Sequence, residues 1–254
     1  MMNFDLTGKV AIVTGAGRGL GIELSTTLAE YGASVALISR SKDVLEASAK
    51  EITEQTGSKV MAFPCDLRNE NMINETVDAI MKEFGRIDIL VNNAGYITYG
   101  ETQDISLEEW NKCIETDLTG PFLMMKAVGK AWMLENGGHI INISSVSALR
   151  ASRESSVYHA AKAGVIGLTE STAAAWAKYG VFVNCICPGC MSNGEMSKGM
   201  TPELDASVSA NIPMGHRGNY GDLSGALIYL ASDACSYTTG ATIVVDGGLI
   251  LESF

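Results

Sequence analysis

Basic residues are scarce. Eighteen Lys and Arg stand against 29 Asp and Glu, a net charge of −11. That balance opposes non-specific binding to nucleic acid or an anionic membrane, and no run of Lys or Arg offers a local exception. Long apolar stretches are missing too: none approaches the roughly 18 residues of a membrane span. The opening Met1-Met2-Asn3-Phe4-Asp5 has neither the basic nor the apolar region of a secretory signal. These absences predict a soluble, cytoplasmic protein with no nucleic-acid or membrane partner. Charged residues make up 19% and hydrophobic ones 46%, which excludes a wholly disordered chain. At 254 residues the chain can bury a sizeable core.

Metal and redox motifs are thin. The cysteines are Cys65, Cys113, Cys185, Cys187, Cys190 and Cys235, three of them spaced C-x-C-x-x-C. Cys187-Pro188-Gly189-Cys190 has the outline of a redox pair. Cys185 and Cys187, however, lie in the apolar run Val181-Phe182-Val183-Asn184-Cys185-Ile186-Cys187, where free Cys acts as a small core hydrophobe. With no fourth soft ligand nearby, no metal site is expected.

What is present is alternation. Short Val- and Ile-rich runs at 10–14, 34–39, 60–65, 87–91, 139–144, 181–187 and 242–245 alternate with helix-like segments. Runs apolar on both faces suit a parallel sheet covered by helices. In the stretch 70–84, Met72, Ile73, Val77, Ile80, Met81 and Phe84 fall near helical spacing. Gly32, Gly57 and Gly85 follow helical segments, as helix-terminating residues do. The pattern predicts a single doubly wound α/β domain over residues 1–254. Residues 190–218, rich in Met, Ser and Gly, show no strand pattern and are expected to form a lid over the ligand crevice.

After the first run comes Thr14-Gly15-Ala16-Gly17-Arg18-Gly19-Leu20-Gly21 and a helix start. A strand, a glycine loop and a helix N-terminus together aim backbone N–H groups at phosphate. The spacing departs from G-x-G-x-x-G. At the end of the second run stand Ser39 and Arg40, with no carboxylate before Asp43. An acid there favours the free 2′-hydroxyl of NAD, whereas Arg accommodates the 2′-phosphate of NADP. Arg40, with Arg18 in the loop, favours NADP(H), with NAD(H) as the alternative.

Tyr158 and Lys162 are spaced i and i+4, on one helical face. A neighbouring ammonium stabilises phenolate, so such a Tyr can exchange a proton with a carbonyl or alcohol oxygen. Ser144 and Ser145 end the preceding run, where a hydroxyl can bond the same oxygen.

In order, the chain carries Thr14-Gly15-x-x-x-Gly19-x-Gly21, Asn92-Asn93-Ala94-Gly95, Ser145, Tyr158-x-x-x-Lys162, Pro188-Gly189 and Val245-Asp246-Gly247-Gly248. This set resembles the short-chain dehydrogenase/reductase family, over essentially the whole chain. The resemblance implies a seven-stranded Rossmann-type sheet, NAD(P)-dependent carbonyl/alcohol interconversion and a homotetramer. It implies Tyr158 as proton donor and acceptor and Ser145 as the group orienting the substrate oxygen, with Ser147 as the alternative serine. Lys162 would hold the nicotinamide ribose and acidify Tyr158. Asp66, with Leu67 beside it, would meet the adenine, and Asn92, Ala94 and Gly95 would line the groove with Pro188 and Gly189. Two positions depart from the family pattern. Asp117 of Asp117-Leu118-Thr119-Gly120 replaces a catalytic Asn, and Asn193 replaces a Thr that contacts the carboxamide. An ionised Asp accepts hydrogen bonds but cannot donate them.

The opening Phe4-Asp5-Leu6-Thr7-Gly8-Lys9-Val10 and the loop Leu149-Arg150-Ala151-Ser152-Arg153-Glu154 look like those of gluconate 5-dehydrogenase-like members. Arg150 and Arg153 could pair with a substrate carboxylate, or they are loop arginines serving nearby acids. A polyol or sugar acid is therefore the expected substrate. Three alternatives stand beside it: 3-oxoacyl thioesters, hydrophobic ketones or hydroxysteroids suggested by Met191, Met196, Met200 and Met214, and a cofactor-binding sensor without chemistry. His159 is expected to be structural. Small residues in Ala173-Ala174-Ala175-Trp176 would permit packing against a second subunit.

Overall fold

Alternate residues of one strand feed two different cores. In β1 (Val10–Thr14), Ala11 and Val13 enter one apolar cluster and Ile12 the other. In β2 (Ser34–Ser39), Val35 and Leu37 go one way, Ala36 and Ile38 the other. The period of two along a strand thus places a core on each face of the sheet, which is why these runs are apolar throughout. The computed structural model describes residues 4–151, 154–192 and 200–251.

The other strands are β3 (Val60–Pro64), β4 (Ile89–Asn92), β5 (Gly138–Ile143), β6 (Val181–Pro188) and β7 (Thr242–Val245). They form one seven-stranded parallel sheet in the order β3-β2-β1-β4-β5-β6-β7. One face is covered by α1 (Leu20–Glu30), α2 (Lys42–Thr56) and α9 (Ser224–Ala231), through Leu24, Leu28, Leu45, Ile52, Leu227 and Ile228. The other is covered by α3 (Glu70–Phe84), α5 (Gly120–Val128) and α7 (Ser156–Trp176). Each fully buried Leu or Ile contributes about 2 kcal/mol of transfer free energy. The predicted helix over 70–84 forms over those residues, capped by Asn69, whose side chain accepts from Met72 N, and ended by Gly85 at φ 77°.

Strand order reverses at β1. The chain runs outward through β2 and β3, then returns to lay β4 on the other side of β1. A crevice opens at such a switch point, outside the carboxyl ends of the strands.

Several boundaries differ from the sequence expectation. β4 begins at Ile89 rather than 87, because Asp88 is held by the Val10 N–H at its Oδ2 (2.8 Å) and by Arg86. β3 ends at Pro64, and β6 runs on to Pro188 by pairing with Val245. Within the 190–218 segment, where no strand pattern was found, lies α8 (Pro202–Ala210), with the Thr201 Oγ1 accepting from Leu204 N. A Met191–Gly218 bridge joins the two ends of that segment. Of the small residues read as permitting packing against a second subunit, Ala174 and Ala175 are exposed, while Trp176 packs inside the chain, where a Cβ on Gly129 would meet its ring at 2.6 Å. Ala173 is buried beside it.

Candidate active site

Each predicted motif but Tyr158-x-x-x-Lys162, which lies on α7, follows the carboxyl end of a strand. The loop after β1 is compact because its glycines touch backbone. A Cβ at Gly15 would sit 2.7 Å from Ala94 Cα, one at Gly21 2.3 Å from the Gly15 carbonyl oxygen, and one at Gly17 2.9 Å from Ser39 Oγ. Gly19, at φ 58°, is the N-cap of α1, and Leu20 is its first residue. Thr14 Oγ1 accepts from the N–H groups of Asn93 (3.0 Å) and Ala94 (3.1 Å), fastening the Asn92–Gly95 turn to the glycine loop. Arg18 and Arg40 are both exposed.

Asn92 is buried. Its Nδ2 donates to Asn142 Oδ1 (2.9 Å), and Asn142 donates to Thr169 Oγ1 (2.9 Å). The Asn92 Oδ1 has no partner among the described residues. A glycine loop at a helix N-terminus, a ledge at Ala94 and Gly95 and one uncommitted acceptor fit a dinucleotide's phosphates and polar groups. Asp66 is clamped by Arg68, with Nη2 to Oδ2 at 2.6 Å and Nε to Oδ1 at 3.0 Å. The Arg68 guanidinium and, more weakly, Arg40 hold its carboxyl below the usual range. Leu67 is buried in the core, its Cβ and carbonyl oxygen close to Gly120. Gly189 lies where a Cβ would be 2.6 Å from Asp246 Cα, which gives the Pro188-Gly189 and Val245-Asp246-Gly247-Gly248 motifs one joint role. Asp246 then accepts from Gly248 N (2.8 Å) and Ile250 N (2.9 Å).

Ser145, Tyr158 and Lys162 converge beside this groove. Ser145 starts a short 3₁₀ turn, its Oγ accepting from Ser147 N (3.1 Å). Ser144 Oγ faces inward and donates to the Lys162 carbonyl (2.8 Å), while the Ser147 carbonyl is taken by His159 Nδ1. The Ser145 hydroxyl acts on the Tyr158 phenol. Lys162 is 3% exposed and Asp117 is fully buried. The Lys162 Nζ donates to the Ile143 carbonyl (3.1 Å) and lies 5.4 Å from the Tyr158 ring centroid. It also lies 3.2 Å from Asp117 Oδ2, an ion pair outside hydrogen-bond geometry.

Burial pushes the Tyr158 phenol up, although part of its surface stays open to the cleft. Lys162 and the Ser145 hydroxyl oppose that shift, and Asp117 adds to it. Burial disfavours charge on Lys162, yet Asp117 and Tyr158 together raise it above the ordinary lysine range. Burial raises Asp117 despite the ammonium beside it.

Asp117 sits in a π-helical segment, Glu115–Thr119, between α4 (Leu107–Ile114) and α5. Such bulges are frequent at functional sites. Sequence reading missed this bulge, the Thr14 clamp and Tyr96, whose N–H donates to Asp117 Oδ1 at 2.6 Å. A polar Asn142 within an apolar strand was the one available signal for the buried amide chain.

Other expectations fall elsewhere. Arg150 donates from Nη1 to the Leu249 carbonyl (2.7 Å), tying the Ser145 loop to the last turn of the chain. Arg153 and Asn193 lie outside the described residues. Cys185 and Cys187 are fully buried in β6, and no group of metal-binding side chains occurs among the described residues.

The family model described as Enoyl-(Acyl carrier protein) reductase matches residues 15–250. The chain belongs to the short-chain dehydrogenase/reductase family. An NADP-dependent mannitol dehydrogenase of Alternaria alternata is 38% identical over 250 residues, covering 96% of this chain and 93% of that protein. The 3-oxoacyl-[acyl-carrier-protein] reductase FabG of Chlamydia muridarum is 35% identical, covering 98% and 100%. A gluconate 5-dehydrogenase from Burkholderia cenocepacia, solved with NADP and tartrate, superposes with a TM-score of 0.93 at 31% identity, covering 98% of each chain. This short-chain dehydrogenase/reductase is therefore an oxidoreductase acting on carbonyl and alcohol groups, in a family that binds NAD(P). No helix among its described residues is long and apolar enough to cross a membrane.

Proposed function

We propose that this enzyme is an NADP(H)-dependent oxidoreductase of a polyol or sugar acid, with Ser145, Tyr158 and Lys162 as its catalytic residues. The convergence of these three side chains beside the glycine loop carries the reading. A bound nicotinamide dinucleotide would supply or accept the hydride. In the reductive direction the Tyr158 hydroxyl gives its proton to the carbonyl oxygen, and the Ser145 hydroxyl donates a hydrogen bond to that oxygen. The Lys162 ammonium stabilises the phenolate that remains. The oxidative direction reverses these transfers.

The exposed Arg18 and Arg40, with no carboxylate at the end of β2, support recognition of a 2′-phosphate. The mannitol and gluconate relatives support a hydroxylated substrate. Reduction of 3-oxoacyl thioesters is the second reading, supported by the FabG relative. Against it stands this chain's net charge of −11, which would repel an acidic carrier protein. Residues 190–218 serve as a substrate lid in this reading. Arg217, which donates to the Met191 carbonyl (3.2 Å) and pairs with Asp205 on α8, ties that lid to the end of β6. A cytoplasmic homotetramer completes the proposal, and the exposed Leu107, Trp110 and Phe122 support self-association.

Nicotinamide absorbance tests it, with NADPH and NADH each run against keto-sugar acids, polyols, aliphatic, cyclic and steroid ketones and a 3-oxoacyl thioester. Turnover of 5-ketogluconate with NADPH, diminished in Arg150→Ala or Arg153→Ala, supports the reading. Turnover confined to apolar ketones or thioesters overturns the substrate class.

A further inference from the structure

Both Asp117 oxygens face positive partners. Oδ1 accepts from the Tyr96 N–H at 2.6 Å, and Oδ2 lies 3.2 Å from the Lys162 ammonium. An Asn could serve only one of these directions as an acceptor and would turn a donor toward the other. The residue is fully buried, and the backbone of Gly95 closes over the pair: a Cβ there would be 3.0 Å from Asp117 Oδ2 and 3.5 Å from Lys162 Nζ. The pocket is therefore shaped for a carboxylate, at a position where the family pattern has an amide.

We propose that Asp117 is the built-in counter-ion of Lys162 and sets how strongly that ammonium acts on the Tyr158 phenol. This rests on Tyr158 being the proton-exchanging group. Asp117 is a positioning residue. It holds Lys162 charged at a fixed place, and its own negative charge cancels part of the ammonium's field at the phenol. Several titratable groups surround this phenol–ammonium pair: Cys113 on α4, Asp117 in the π segment, and Cys185 and Cys187 on β6. Burial pushes the Cys113 thiol up to about 12, and within the β6 thiol pair the contact with Cys187, with burial, raises Cys185, while the same contact lowers Cys187. Of these groups, Asp117 acts on the Tyr158 phenol in the sense opposite to Lys162. With the carboxylate present, the phenol keeps its proton to higher pH, which favours it as a donor in reduction.

The test is an ultraviolet difference titration of tyrosinate in the full chain without cofactor, the Tyr158→Phe profile being subtracted to isolate Tyr158. Asp117→Asn should lower the Tyr158 midpoint by about one pH unit, the usual size of one nearby charge. Asp117→Glu, which retains the charge, should leave the midpoint closer to the parent's. Asp117→Ser, also uncharged, reads the same quantity should the amide variant not fold. A midpoint that stays in place or rises in the uncharged variants overturns the proposal. Because this titration needs no turnover, its failure is distinct from failure of the oxidoreductase reading, which the absorbance panel tests.

Discussion

Replacing Lys162 with Met isolates the energetics of the buried pair. At 3.2 Å and an effective dielectric of about 20, the attraction between Asp117 and Lys162 is about 5 kcal/mol. Desolvation of the two ions offsets much of that, so the pair itself adds little to stability. Removing one partner is a different perturbation, because it strands a carboxylate that is fully buried, at a cost of about 3–5 kcal/mol. The carboxyl can escape by taking up a proton. Its folded value is already raised by burial above the ordinary 3.8, and loss of Lys162 raises it further. In Lys162→Met the unfolded chain thus releases this proton at lower pH than the folded one. Stability is retained at low pH, falls as pH rises through the raised folded value, and then levels off. Urea unfolding at one fixed protein concentration should show a penalty that grows as pH is raised from about 5 to about 8. Adding Asp117→Asn to Lys162→Met should restore about 2 kcal/mol or more at the higher pH, since a neutral amide still accepts from Tyr96 N. A penalty independent of pH, or a double variant no more stable than the single one, would refute the reasoning.

Arg40→Ala should weaken NADPH binding about 10- to 100-fold, the worth of one charge-assisted contact, and leave NADH unchanged; tryptophan fluorescence titration reads both, and equal losses would contradict the 2′-phosphate assignment. Burial lowers His139 to about 4 from 6.5, so the unfolded chain takes up this proton first and stability drains away as pH falls between those values, by up to about 3 kcal/mol. His139→Phe, which keeps the stack on Phe182, should flatten that slope in urea titrations, and an unchanged slope would count against the assignment. Gly21→Ala drives a Cβ toward the Gly15 carbonyl at 2.3 Å and should cost about 1–3 kcal/mol; an unaltered Tm would show the loop to be looser than described.

The seven strands were legible because each must be apolar on both faces, and that leaves a mark in composition. Their ends were less so. Ile87 is as apolar as any strand residue and fully buried, but it belongs to the turn that Arg86 and Asp88 pin to β1. The helix α8 escaped notice because its buried face is weak: none of its residues is fully buried. Thr201-Pro202, a helix-start signal, was there to be read. Ser145, Tyr158 and Lys162 could be picked from the chain through the ordered set of motifs that resembles the family, since Tyr158-x-x-x-Lys162 spacing alone is common on ordinary helices. The pairing of Asp117 with Lys162 could not, because it depends on a π bulge that no local sequence rule announces and on a partner 45 residues away, from 117 to 162. Arg150 has a duty that its position after Ser145 did not show: the fold gives one of its N–H groups to the Leu249 carbonyl.

The most direct measurement compares the chain with its Tyr158→Phe variant, following NADPH consumption across the carbonyl panel and cofactor affinity by fluorescence. The account predicts turnover of at least one keto-polyol or keto-sugar acid, a fall of about 10²–10⁴-fold on loss of the phenolic proton and cofactor binding within a few-fold of the parent. No turnover of any carbonyl, or a variant as active as the parent, would contradict it.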